Sequence, residues 1–90
     1  MQLVMEPIES VEALGARIRT IRIAAGLTQA DAAALSGVSV PFLSGLEQGK
    51  ATVRLGLVLD VCRALGIELV AEFPGPLPAG APRRVRRRRS

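Results

Sequence analysis

Histidine, tryptophan and tyrosine are missing from this 90-residue chain, while phenylalanine occurs twice and cysteine once. Without histidine the commonest general base at neutral pH is gone, and neither a glycine-rich phosphate loop nor carboxylates at metal-ligand spacing stand in for it. Those absences exclude an enzyme, and they leave no residues to hold a metal or a cofactor. The lone Cys62 can form no internal disulfide and has no thiolate-stabilising cluster beside it, so it reads as a small buried hydrophobe in a reducing compartment. No stretch reaches the roughly 18 apolar residues of a membrane span. No basic-then-apolar leader is present, and a cytoplasmic protein without a membrane partner is the expectation.

The scarcity of aromatics also bounds the interior. With 49% hydrophobic residues but only two aromatics, one domain with a small aliphatic core is what the chain can build. A monomer of that kind is marginal, and a homodimer that buries further apolar surface is the usual remedy at this size.

Acidic residues are few, eight against twelve basic ones, for a net charge of +4. Half of the basic residues, however, lie in one run, Arg83, Arg84, Arg86, Arg87, Arg88 and Arg89, and residues 1–82 alone carry −2. Attraction of the folded part for a polyanion must therefore come from charges sorted onto one face. Between the two regions PGPLPAGAP holds Pro74, Pro76, Pro78 and Pro82 and reads as an extended linker, so 74–90 is a disordered linker and tail. Two readings stand for the arginines: a basic arm that settles on phosphates with release of counterions, or a solubilising tail.

Val11, Leu14, Ile18, Ile21 and Ala25 recur at helical steps behind a capping Ser10, predicting a first helix that Gly26 ends. Thr28 and Asp31 have the spacing of a capping box, so a second helix starts at Gln29, with Ala32, Ala33 and Leu35 on its apolar side. Gly37 supplies a left-handed corner. Ser39 caps a third helix that tolerates Pro41 in its first turn, returns Leu43 and Leu46 to the core and stops at Gly49. Helix, glycine turn and helix with small residues at its exposed start make a helix-turn-helix pattern, whose second member enters the DNA major groove. Phe42, next to Leu43, is expected to pack at the core margin. Leu55, Val58, Leu59, Cys62 and Leu65 predict a fourth helix over about 54–65, ended by Gly66.

From Ile67 the period changes to two. Ile67, Leu69, Ala71 and Phe73 alternate with Glu68, Val70 and Glu72, which predicts a half-buried strand. A lone strand cannot satisfy its backbone, and its natural partner is the same strand of a second subunit, antiparallel across a two-fold axis. Gln2 to Met5, within an N-terminal segment 1–9 that Pro7 interrupts, is a further short strand or a frayed end.

The stretch LTQADAAALSGVSVPFLSGLEQGK resembles the Cro/Xre-type helix-turn-helix of phage repressors and bacterial regulators. Upstream, IRTIRIAAG is similar to the end of that family's first helix; downstream, ATVRLGLVLDVCRALGIELVAEF is similar to its fourth region followed by a strand. That ending resembles the HipB-type antitoxins, operator-binding dimers that hold a HipA-type kinase toxin. The resemblance covers roughly residues 11–73. It implies a mainly α, lambda-repressor-like bundle of four to five helices over 10–73, with a short C-terminal β-strand pairing across a homodimer. It further implies that Arg22 pairs with Glu47 and leaves part of its guanidinium for a phosphate oxygen, and that Gln29 is a phosphate-contacting glutamine.

The residues expected to face bases are Ser39, Val40, Pro41, Ser44 and Gly45. None is Arg, Asn or Gln, the usual readers of guanine and adenine; Val40 and Pro41 can touch thymine methyls, and Ser39 and Ser44 can hydrogen-bond to bases or phosphate. DNA shape, water and half-site spacing must then carry much of any discrimination. Gln29, at a helix N-terminus, heads a phosphate-facing set completed by Gln48, Lys50, Arg54, Arg22 and Arg19, against the alternative that Lys50 is only a solvated loop charge. The expected function is a sequence-specific, dimeric repressor of double-stranded DNA, acting at the operator of its own operon as the antitoxin of a HipA-like kinase. The alternatives are a stand-alone Xre-type regulator, and an interaction module whose apolar recognition helix has lost specific DNA binding.

Overall fold

The computed structural model describes residues 3–76 and 78–80. Four helices follow one another: α1 Val11–Ala24, α2 Gln29–Ser36, α3 Val40–Glu47 and α4 Leu55–Ala64. Three of the four starts have the cap that the sequence offers. Ser10 Oγ accepts from the Ala13 N–H at 3.0 Å, and Ser39 Oγ accepts from the Phe42 N–H at 3.1 Å. At α2 the Thr28 hydroxyl accepts from the Asp31 N–H while the Asp31 carboxylate accepts from the Thr28 N–H, both at 3.0 Å. Arg54 caps α4 without a side-chain bond.

Gly37 leaves α2 at φ +73°, a conformation that costs a residue with a Cβ, and so turns the chain sharply into Ser39 and α3. α3 packs on both α1 and α2, and α4 closes over α2. The core between them is Ile18, Ala32, Ala33, Leu43, Leu46, Val58, Val61 and Cys62, with Leu14, Leu27, Val38, Phe42, Val53, Leu65 and Ile67 around it. Burial pushes the Cys62 thiol up from its ordinary range, away from the reactive thiolate.

Several expectations need correction. Leu35 is 63% exposed, because α2 turns its alanines inward and leaves Leu35 off that stripe. Leu55 is 67% exposed, and α4 instead buries Val58, Val61 and Cys62, a face rotated from the one expected. Ala25 is exposed too, since the helix has already ended there. The fold is mainly helical, with four helices and no strand among the described residues. Ile67 still closes α4, its N–H donating to the Cys62 carbonyl at 2.8 Å, but residues 68–73 are exposed and form no ladder. The described residues offer that segment no neighbouring strand with which to exchange backbone bonds. Leu3, Val4 and Met5 likewise form no strand and are more than 80% exposed. Gln2 and the arginine run 83–89 lie outside the described residues.

Candidate nucleic-acid interface

α3 has two sides of opposite character. On its rear Leu43 and Leu46 are fully buried. On its front Ser39, Val40 and Pro41 are exposed, Val40 by 41%, and Ser44 and Gly45 are half-buried. The residues expected to face bases therefore share the outward start and face of one helix.

The rear is held by a charged hub that ties three helices together. Arg22, from the last turn of α1, meets Glu47, the last residue of α3, through two parallel bonds: Nε donates to Oε2 at 2.6 Å and Nη2 to Oε1 at 2.9 Å. The remaining arm, Nη1, donates to the Leu27 carbonyl at 2.9 Å. Gln29, the first residue of α2, donates from Nε2 to Glu47 Oε1 at 3.1 Å. Arg22 and Glu47 are each only 8% exposed, so bidentate geometry matters here far more than in a surface pair. Burial alone would push the Glu47 carboxyl up. The hydrogen bonds from Arg22 and Gln29, with the charges of Arg22 and Arg19, outweigh it and hold the carboxyl below its ordinary range. The same hydrogen bond raises the guanidinium of Arg22.

Gly15, which periodicity passed over, makes the hub possible. It is buried on α1 where that helix crosses the end of α3. A Cβ there would come far inside van der Waals contact with the Leu46 carbonyl oxygen and 3.1 Å from its carbonyl carbon. The signal was present, since a glycine sits inside the apolar stripe of Val11, Leu14 and Ile18, where close backbone approach is its usual reason.

On the front, Gln48 turns back one turn and donates from Nε2 to Ser44 Oγ at 3.1 Å. Lys50 follows α3, its side chain close to Gly45, and both Lys50 and Arg54 are exposed beyond the helix. Among the described residues the ion pairs are Arg17–Glu6, Arg22–Glu47 and Arg63–Asp60, so Arg19, Lys50 and Arg54 enter none. Gln29 is half-buried and has part of its donor capacity committed to Glu47. Arg22 keeps little guanidinium surface for an outside partner, its three nitrogens all donating inward. Among the described residues no group of three His, Cys, Asp or Glu side chains could hold a metal ion, and no helix is long and apolar enough to cross a membrane.

The family described as "Helix-turn-helix domain" matches residues 13–73. A curated relative, the uncharacterised HTH-type transcriptional regulator y4mF of Sinorhizobium fredii, is 37% identical over 62 residues, covering 69% of this chain and 82% of that protein. Among solved structures, the clp gene regulator ClgR of C. glutamicum is 43% identical with a TM-score of 0.59, over 70% of this chain and 80% of that one. HipB superposes over more: in complex with an O2 20-mer it has a TM-score of 0.71 at 19% identity, over 80% of this chain and 100% of that one. HipB in complex with HipA and O2–O3 gives the same TM-score of 0.71 at 18% identity, over 79% of this chain and 100% of that one. The chain thus belongs to the helix-turn-helix domain family of DNA-binding transcriptional regulators, of the Cro/Xre type and with a HipB-like fold.

Proposed function

We propose that this protein is a cytoplasmic, dimeric repressor that binds the operator of its own operon and is the antitoxin partner of a HipA-like kinase. One observation carries the DNA part: the exposed start of α3 stands in front of a rear face locked by Leu43, Leu46 and the Arg22–Glu47 pair. A rigid helix whose start and outer face are left free by the bundle is what groove entry requires. Ser39, Val40, Pro41, Ser44 and Gly45 meet the base edges. Arg19, Lys50 and Arg54, unpaired with any described acid, contact phosphates on either side, and Gln29 adds its second amide N–H and the free backbone donors of the α2 N-terminus.

The dimer rests on residues 67–73. Their period-two pattern, with Leu69, Val70 and Phe73 exposed in the single chain, calls for an antiparallel copy of itself across a two-fold axis. The toxin part is supported by the likeness to HipB along the whole of that chain, HipB being found with HipA and DNA. A stand-alone regulator is the second reading, favoured because the relatives at 37% and 43% identity are transcriptional regulators.

The deciding experiment compares binding to the chain's own upstream promoter with binding to scrambled DNA over a salt series. Preference for the promoter is the expected result. Equal affinity for both DNAs would leave an interaction module. Truncation after Phe73 in the same assay weighs the arginine arm: unchanged affinity and salt slope would reduce it to a solubilising tail. Co-purification with a kinase-like protein encoded next door decides between antitoxin and stand-alone regulator.

A further inference from the structure

Between Val38 and Glu47 there is no arginine, asparagine or glutamine, and by residue type alone the outer face of α3 is a poor reader of bases. Gln48 changes that inventory. It follows the last residue of α3, is exposed, and lies one turn beyond Ser44 and Gly45 on the face that begins at Pro41. Its Nε2 donates to Ser44 Oγ at 3.1 Å, so the carboxamide is laid back along the helix instead of trailing into solvent. The bond also assigns the roles of what remains. Ser44 has one lone pair occupied and its O–H free to donate; Gln48 keeps a carbonyl oxygen and one N–H. Gly45, beside them, puts no side chain between this pair and a base edge. A Cβ at that position would meet nothing nearer than the Lys50 side chain at 3.5 Å.

Resting on the operator reading above, we propose that Gln48, anchored on Ser44 just past the end of α3, reads a base beside the Ser39–Gly45 set instead of the phosphate expected of it, and that its base is adenine. One donor and one acceptor on a planar amide match N7 and N6 of adenine in the major groove. A phosphate would use the donor alone and leave the carbonyl oxygen unpaired at the contact. The anchor serves specificity because a glutamine already held in place has less rotamer freedom to lose when DNA arrives. Ser44 is then a positioning residue as well as a donor.

The test selects the full-length protein and its variants on a pool of randomised duplexes. Wild type should prefer adenine at one position of each half-site, and Gln48→Ala should lose roughly tenfold discrimination there while leaving other positions intact. Gln48→Glu should move the preference toward cytosine, whose N4 donates to a carboxylate. Ser44→Ala should weaken the same position although Gln48 is still present, and Ser44→Thr, which keeps the hydroxyl, should restore it. A uniform loss of affinity in Gln48→Ala with an unchanged preference profile would overturn the assignment alone. A wild type without any preference would sink the operator reading and this inference together.

Discussion

The rear and the front of α3 belong to one eight-residue helix, yet they obey different rules. On the rear every group is committed: Leu43 and Leu46 to the core, Glu47 to Arg22 and Gln29, and the Leu46 carbonyl to a crossing so close that α1 meets it with a glycine. On the front only the Ser39 cap and the Ser44–Gln48 bond constrain the side chains. The difference separates stability from recognition. Rear substitutions should move melting temperature and carry DNA binding down with it, whereas front substitutions should move base preference at nearly constant stability.

The strongest attempt to break that separation is Glu47→Ala. It leaves the Arg22 guanidinium buried without its carboxylate, a change that costs about 3–5 kcal/mol. A 90-residue chain with a core this small has little more than that to lose, so thermal denaturation should find it largely unfolded. Replacing both partners, Arg22→Met with Glu47→Leu, should recover most of the loss, because two apolar side chains strand no charge. The same pair predicts an acid limb. The Glu47 carboxyl is held below its unfolded value of about 4.3, so its contribution is full above that pH and disappears as pH falls through the lower folded value. Asp31, held low by the Thr28 N–H and hydroxyl, titrates in the same direction, and subtracting the acid titration of a Glu47→Gln variant isolates the Glu47 part.

Next in size is Gly15→Ala. Ordinarily alanine favours a helix over glycine by somewhat under 1 kcal/mol. Here the added methyl meets the Leu46 carbonyl, and α1 and α3 must separate, so a net destabilisation of about 1–3 kcal/mol is expected in urea unfolding. A stabilised variant would mean that the two helices do not approach as described.

How much of this was legible without coordinates follows the same division. Ser10, Thr28 with Asp31, Gly37 and Ser39 act within three or four residues of themselves, and local chemistry placed those four helix ends correctly. Which way a helix faces is a tertiary matter. In α4, Gly56, Asp60 and Arg63 share one side and the rest of LGLVLDVCRA is apolar, so Leu55–Val58–Leu59–Cys62 and Val58–Val61–Cys62–Leu65 are both regular stripes; the second, opposite Asp60 and Arg63, is the one α4 buries. Eight-residue α2 is too short for periodicity to place Leu35, and only its contacts do. The Gln29–Glu47 bond joins residues 18 positions apart, beyond what spacing can reveal. Residues 68–73 mark the remaining boundary: their alternation is plain, but they are exposed and form no ladder among the described residues.

Ser39→Ala probes where the two sides meet. Its hydroxyl satisfies the Phe42 N–H at the start of α3, and losing that cap should cost about 1 kcal/mol. Ser39 is also exposed at the end of α3 proposed to enter the groove. A stability loss with DNA preference unchanged would make it a cap alone, and a change in both would make the N-cap of α3 answer to both sides.

Val40→Ala should have the smallest effect on folding and sharpens the comparison most. Val40 is 41% exposed, makes no part of the buried cluster, and sits in a first turn where the adjoining proline already restricts the backbone. Its removal should shift stability by no more than about 0.5 kcal/mol, the range of surface substitutions. What it removes is the isopropyl group available to a thymine methyl, so the measurable loss belongs in the sequence-selection profile, at a position separate from that of Gln48. If denaturation midpoints instead fall as far as they do for Ser39→Ala, the front of α3 is carrying fold as well as recognition. The two faces would then be parts of one constraint, and operator preference could not change without altering the stability of the bundle.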